Sequence, residues 1–203
     1  MMIGSIILII LGVMALIGIG NRTIKDFDLP VVALVPVAAA IVGLNFLPAA
    51  ELGGFSFSFG TILLFITVIA LWIFKGTIKN RLLSLLITVV LSGVLYGATR
   101  LAAYYGNELW SGINYYYALM IGLIAFVATR NGKYGFIAST LTIMVVSLLV
   151  QIGRDVSLDY AYSTAIVAGA TSIVLYQVVT RLMPKRPNKM SYYYEMGRML
   201  DKE

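Results

Sequence analysis

The stretch LLSLLITVVLSGVLYGAT, residues 82–99, indicates what kind of fold this chain adopts. None of its eighteen positions is Asp, Glu, Lys or Arg, and Arg81 and Arg100 border it on either side. A helix crosses the hydrocarbon core of a bilayer when about 20 consecutive residues are predominantly apolar. The stretch is close to that length, so it predicts a membrane-spanning helix.

Six other stretches share this character, and the whole chain has the composition of a protein that lies in lipid. Hydrophobic residues make up 60% and charged residues 12% of the 203 positions, whereas soluble domains carry about 25% charged residues. We therefore predict an all-α, polytopic membrane protein, with seven transmembrane helices in one domain over residues 1–182. The other uncharged stretches are residues 2–20, 29–50, 55–74, 109–129, 135–153 and 160–180.

The basic residues between these stretches predict the orientation of the chain. Thirteen Lys and Arg residues fall on one side of the predicted membrane and two, Arg100 and Arg154, on the other. Because the basic side of a membrane protein faces the cytoplasm, we expect an outside N-terminus and a cytoplasmic C-terminus. The net charge of +6 then follows from topology and requires no nucleic acid. We expect the cytoplasmic membrane of a prokaryote as the location.

The second stretch, residues 29–50, can be interpreted in two ways, as a full span or as a re-entrant segment. It contains Pro30, Pro36 and Pro48, and Pro36 should kink the interior of a helix. A kinked full span is the preferred prediction. If the segment is re-entrant, six helices span, the N-terminus lies inside, and the basic residues divide eleven to four.

The segment GGFSFSFG, residues 53–60, alternates Phe and Ser before the third predicted helix. Alternation of period two is typical of an extended strand with one apolar face. The alternative is that these residues form the first turn of that helix.

The fourth predicted helix carries a polar seam, which consists of Ser84, Thr88, Ser92 and Tyr96. Residues four apart lie on one face of a helix, so the seam is predicted to run along the helix towards Arg100. Such a seam is either a path for a polar solute or a packing face, since Ser and Thr hydroxyls also bond to the carbonyl four residues earlier in their own helix.

Small residues at helical spacing predict two packing faces. Gly93 and Gly97 form a GxxxG pair on the fourth helix, and Ala161, Ala165 and Gly169 line one face of the seventh. Small side chains let neighbouring transmembrane helices approach closely. Partners of the chain are therefore predicted to be the lipid bilayer and a protein that docks on these faces or on the basic tail. The tail, residues 183–203, is predicted to form a short amphipathic helix.

The few charged residues on the predicted outer side are candidates for one site. They are Arg100, Glu108, Arg154, Asp155 and Asp159. If the fourth and sixth helices are neighbours, these residues would form a single charged cluster that could hold a lipid headgroup or gate a vestibule. The alternative is that Arg154 belongs to an ordinary loop rim, paired with the acids beside it.

Aromatic residues are also frequent on this side, and amphipathic rings are typical of the membrane interface. We predict that most of the following form an aromatic belt: Tyr104, Tyr105, Trp110, Tyr115, Tyr116, Tyr117, Tyr160 and Tyr162.

The sequence contains few of the side chains that usually carry out catalysis. Cysteine and histidine are both absent, which removes thiol nucleophiles, thiolate metal sites and the commonest general base. No predicted span contains a carboxylate. We therefore predict a non-enzymatic protein without metal or cofactor, a subunit or scaffold of a membrane assembly. The alternative is a small permease, channel or lipid-handling protein for a neutral or zwitterionic solute that uses the seam.

Overall fold

The computed structural model describes residues 2–18, 27, 30–52, 55–74, 77–107, 113–151 and 159–182. This part of the chain is helical apart from one short hairpin, so the predicted helical architecture is confirmed. In chain order the elements are α1 (Met2–Leu16), α2 (Val31–Leu44), β1 (Ala50–Leu52), β2 (Phe55–Phe57), α3 (Phe59–Ile73), α4 (Ile78–Tyr104), α5 (Tyr115–Thr129), α6 (Gly132–Gln151) and α7 (Asp159–Leu182).

Polar residues at the ends of the apolar runs fix where several helices begin. Ser58, Thr77 and Asn114 precede α3, α4 and α5, and each side chain accepts a hydrogen bond from a backbone N–H of the first turn. The first N–H groups of a helix have no partner within the helix, so such caps stabilise its start. At the other end of α5, Arg130 adopts a left-handed conformation (φ 50°) that turns the chain into α6.

The Phe-Ser alternation is extended rather than helical. β1 and β2 pair antiparallel, with Leu52 opposite Phe55 and Ala50 opposite Phe57. Helix α3 begins only at Phe59. The hairpin is a small departure from the all-α prediction, and the period-two pattern is its cause.

Helices α6 and α7 form the centre of the bundle. Helix α7 packs against α1, α3, α5 and α6, and α6 also packs against α3, α4 and α5. Helix α2 lies at one edge, on α1 and α3, and α4 lies at another, on α6 and α5. The buried interior includes Ile137, Ile143 and Val146 of α6 and Tyr162 and Ile166 of α7.

Contacts between helix ends show how the chain alternates through the bundle. α1 starts beside the start of α7, where the Gly4 N–H donates to Ser163 Oγ at 2.8 Å. Helix α3 ends beside the start of α6, where Lys133 Nζ donates to the Phe74 carbonyl at 3.4 Å. Helices α6 and α7 run antiparallel, so the start of α6 lies beside the end of α7. The end of α1 and the end of α3 therefore lie on the same side of the bundle, and α3 begins on the opposite side. Helix α2 connects those two sides, with Pro36 inside it and no break.

The helices differ in whether they are long enough to cross a bilayer. Three helices of the described part are apolar and long enough to span a bilayer, namely Ile78–Tyr104, Gly132–Val150 and Ala161–Leu182, which suggests membrane association. α1, α2, α3 and α5 have 14 or 15 residues, about 21–23 Å at 1.5 Å per residue, against a hydrocarbon core of about 30 Å. The uncharged run 29–50 is longer than α2 because a turn and the start of β1 follow the helix, and the run 55–74 is longer than α3 because β2 precedes it. Seven spans and the terminal orientation remain predictions.

Candidate functional site

Arg100 is the one member of the predicted outer charged cluster whose side chain the structure describes. Its side chain is exposed near the end of α4, where Nε donates to Tyr96 Oη at 3.0 Å and the guanidinium lies 5.1 Å from the centre of that ring. Helix α4 does pack against α6, the helix that leads towards Arg154. Glu108, Arg154 and Asp155 lie outside the described residues, and only the backbone of Asp159 is described. The cluster itself therefore stays a prediction.

The seam of α4 faces the interior of the bundle. Ser84, Thr88 and Ser92 are 1%, 8% and 5% exposed, and Tyr96 is half-buried. Two of the hydroxyls bond within their own helix: Ser84 Oγ donates to the Arg81 carbonyl at 2.8 Å and Thr88 Oγ1 to the Ser84 carbonyl at 2.9 Å. Each of these bonds uses the single O–H donor of the hydroxyl, so Ser84 and Thr88 have no donor left for a solute and can only accept from one.

Ser92 differs from the other seam hydroxyls. In the described part of the chain its Oγ is buried without a hydrogen-bond partner, as are Ser147 Oγ and Thr140 Oγ1 of α6. Thr140 lies at the α6–α7 interface, close to Gly169. The two apolar crevices described below have no lining residue from α4, so neither is a vestibule along the seam.

The two predicted small-residue faces have different surroundings. Ala161 and Ala165 of α7 are buried, and a Cβ placed on Gly169 would lie 2.6 Å from the Phe136 ring of α6. On α4, by contrast, no described residue lies within 4 Å of a Cβ placed on Gly93 or Gly97. Within the described part of the chain, the GxxxG pair therefore makes no close helix approach.

Two further glycines, which were not singled out from the sequence, lie where the backbones of neighbouring helices approach closely. A Cβ at Gly122 would lie 2.5 Å from the Ala168 carbonyl oxygen, and one at Gly60 would lie 2.6 Å from the Ile41 carbonyl oxygen. The carbonyl of Gly122 also accepts a hydrogen bond from Ser172 Oγ at 2.7 Å. These glycines join α5 to α7 and α2 to α3.

Two tyrosines of the predicted aromatic belt are core residues instead. Tyr162 is fully buried, with its hydroxyl 3.3 Å from Ser5 Oγ, and Tyr117 is 9% exposed. Tyr104 and Tyr105 are exposed at the end of α4, as a belt requires, and their rings meet edge to face.

Lys133 is a buried cation that the sequence analysis counted only as a loop charge. It is 2% exposed, and its ammonium lies 5.7 Å from the centre of the Tyr134 ring. Its bond to the Phe74 carbonyl places positive charge at the C-terminal end of α3, where the helix dipole favours it. Lys133 thus ties α3 to α6.

An apolar crevice of about 170 Å³ opens between α1, α2, α3 and α7. Eighteen residues of the described part of the chain line it, and of these only Thr67 and Gln177 have polar side chains. Thr67 Oγ1 donates to the Leu63 carbonyl of its own helix at 2.7 Å. Phe27 and Phe136, whose rings meet edge to face with centres 5.8 Å apart, also line the crevice. A second crevice of about 170 Å³ lies between α1 and α2 and shares Gly12 and Ala38 with the first.

The apolar crevice was not predicted from the sequence, because nothing in an apolar run distinguishes a residue that packs from one that borders an open space. Among the described residues, no three metal-binding side chains come together. Comparisons with protein-family models, with characterised proteins and with solved structures give no match. Function must therefore be argued from the bundle itself.

Proposed function

We propose that this chain is a non-enzymatic, multi-pass membrane protein that serves as a subunit or scaffold of a membrane assembly. The main support is the polarity of α4, which is inverted relative to a water-soluble helix. Its hydroxyl side chains at 84, 88 and 92 face the protein interior, while Leu86, Val89 and Val94 are 60%, 63% and 65% exposed. In water such an arrangement would leave apolar surface unburied, whereas in lipid it places each group in a suitable environment.

The alternation of the helix ends supports the seven-span form of the proposal, with the second segment crossing the bundle. The four short helices would match the bilayer through local thinning, at a modest cost per ångström of mismatch. With the basic loops in the cytoplasm, the starts of α1 and α7 lie outside.

The role as a subunit draws support from the small-residue face that remains open. Interfaces between transmembrane helices are enriched in small residues because they form through close packing. The face at 161, 165 and 169 on α7 is already occupied within the chain, but Gly93 and Gly97 on α4 have no close neighbour among the residues that the structure describes. A helix of another protein, or of a second copy, is the expected occupant.

The alternative function, handling of a lipid or another solute, now has a different basis. The seam loses support as a solute path, because Ser84 and Thr88 bond to their own helix. The apolar crevice instead favours a lipid among the solutes considered.

Purification in mild detergent tests the proposal. We expect wild-type chain to co-purify with a stable protein partner or as an oligomer, and Gly93→Leu to lose it. Val90→Leu is the matched control, since Val90 is also exposed on α4. A monodisperse monomer that carries lipid but no protein would refute the subunit role and favour lipid handling.

A further inference from the structure

The apolar crevice has the chemistry of a site for a hydrocarbon chain. Among the lining side chains that the structure describes, only Thr67 and Gln177 are polar. Thr67 Oγ1 donates its hydrogen to the Leu63 carbonyl, so the Gln177 amide is the remaining donor, and in the described part of the chain it makes no hydrogen bond to protein. The crevice therefore favours a ligand that is apolar apart from one hydrogen-bond acceptor.

The crevice is longer than one half of the bundle. Ala15, Leu71 and Gln177 line it near the ends of α1, α3 and α7, whereas Ile41 and Leu64 line it closer to the start of α3. Gln177 lies five residues before the end of α7 at Leu182, which is about 7.5 Å along the helix axis. In a membrane, this position puts the amide near the boundary between the hydrocarbon and the headgroups.

The space is sufficient for part of an acyl chain. An engineered apolar cavity of about 150 Å³ takes up benzene, and this crevice has about 170 Å³. Gly12 leaves part of that space open, since nothing lies within 4 Å of a Cβ placed there. The neighbouring outer faces of α1 and α2 are apolar as well, with Val13, Leu16 and Val32 exposed, so acyl chains of the bilayer would surround the crevice.

We propose that the apolar crevice binds one acyl chain of a glycerophospholipid, with the Gln177 amide donating to the ester carbonyl of that chain. The inference rests on the proposed membrane location. It goes beyond that proposal because it distinguishes one bound lipid from the lipids that contact any membrane protein.

A photoreactive lipid tests the assignment. The purified chain in mild detergent is mixed with a trace of phosphatidylglycerol that carries a diazirine on its acyl chain, and a parallel sample is reconstituted in vesicles of phosphatidylethanolamine and phosphatidylglycerol. After illumination, we expect label on crevice peptides of α1, α2 and α7, and excess unlabelled phosphatidylglycerol should compete it away. Gly12→Leu fills the open space, so this label should be lost.

Gly43→Leu is the matched control, because Gly43 also has nothing within 4 Å of a Cβ but lies outside both crevices. It should label as wild type does. Gln177→Leu keeps a similar volume and removes the amide, so half-competition should need about two- to tenfold more unlabelled lipid, the range for one hydrogen bond.

Each contrary result has a separate meaning. Equal label on the outer face of α4, or full label in Gly12→Leu, would overturn the lipid site. A dimer that survives mild detergent in wild type and is lost in Gly12→Leu would place a second copy in the crevice and also overturn it. If alkaline carbonate washes the chain from the vesicles, the proposed membrane location fails and the lipid site fails with it. Retention in the vesicles without crevice label overturns the lipid site alone.

Discussion

Replacement of Gly122 by alanine is expected to destabilise the bundle, because Gly122 lies where α5 touches the backbone of α7. A Cβ on Gly122 would lie 2.5 Å from the Ala168 carbonyl oxygen and 2.8 Å from Thr171 Cβ. A backbone oxygen cannot rotate away, so α5 and α7 must separate. The separation would also stretch the 2.7 Å hydrogen bond from Ser172 Oγ to the Gly122 carbonyl.

The expected loss of unfolding free energy in Gly122→Ala follows from comparison with Gly93→Ala. Both changes replace a helical glycine, which by itself favours the helix by about 1 kcal/mol. No described residue lies within 4 Å of a Cβ on Gly93, so Gly93→Ala should change the unfolding free energy by this helix-propensity gain alone. Gly122→Ala also carries the cost of overpacking, typically about 1–3 kcal/mol. The difference between the two variants is therefore about 1–3 kcal/mol, and each 1 kcal/mol lowers the Tm of a chain of this size by about 2–4 °C.

Thermal unfolding of the purified chain in mild detergent measures the difference, with wild type and both variants at the same protein concentration. Tryptophan fluorescence and the loss of the size-exclusion peak give two separate readouts. If Gly122→Ala and Gly93→Ala raise the Tm equally, α5 and α7 do not meet at Gly122 and the packing described above is wrong.

Three further predictions follow from the same bundle. Ser92→Leu should lower the Tm through overpacking, by about 1–3 kcal/mol, whereas Val89→Leu should be mild because Val89 is 63% exposed; equal tolerance would mean that α4 turns its seam to lipid. Ser172→Ala should cost about 0.5–1.5 kcal/mol in unfolding free energy through loss of its buried hydrogen bond, with Ser92→Ala near neutral because that hydroxyl has no partner in the described chain; equal effects of the two changes would contradict the hydrogen-bond assignment. A reporter fused after Glu203 should be cytoplasmic and a tag before Met1 accessible from outside; a shielded N-terminal tag with a cytoplasmic C-terminus would mean that the second segment does not span.

The sequence determined the local structure of this chain to a large extent. Long uncharged runs predict helices because a backbone surrounded by apolar groups must satisfy its hydrogen bonds internally. The period-two alternation at residues 55–57 left an extended segment and a first helical turn both open, and the structure has β2 there. Spacing by four placed Ser84, Thr88 and Ser92 on one face of α4, and the structure buries that face.

Helix lengths depend on more than hydrophobicity. The uncharged stretch 29–50 covers 22 residues, but α2 ends at Leu44 and a turn and β1 follow. Asn45 accepts a hydrogen bond from Ser58 Oγ at 2.6 Å, and this bond joins the C-terminal end of α2 to the N-terminal end of α3. That bond depends on a residue thirteen positions away, which periodicity does not reveal.

Only the tertiary structure decided which small residues pack and where space remains open. A glycine permits close approach without attracting a partner, so Gly93 and Gly122 look alike in sequence, although of these two only Gly122 meets another helix in the described part of the chain. The burial of Lys133 depends on the Phe74 carbonyl, 59 positions away in the chain. The apolar crevice likewise depends on how four helices diverge. Hydrophobic periodicity gives the direction of a side chain from its own helix, whereas the neighbour in that direction is set by contacts between distant segments.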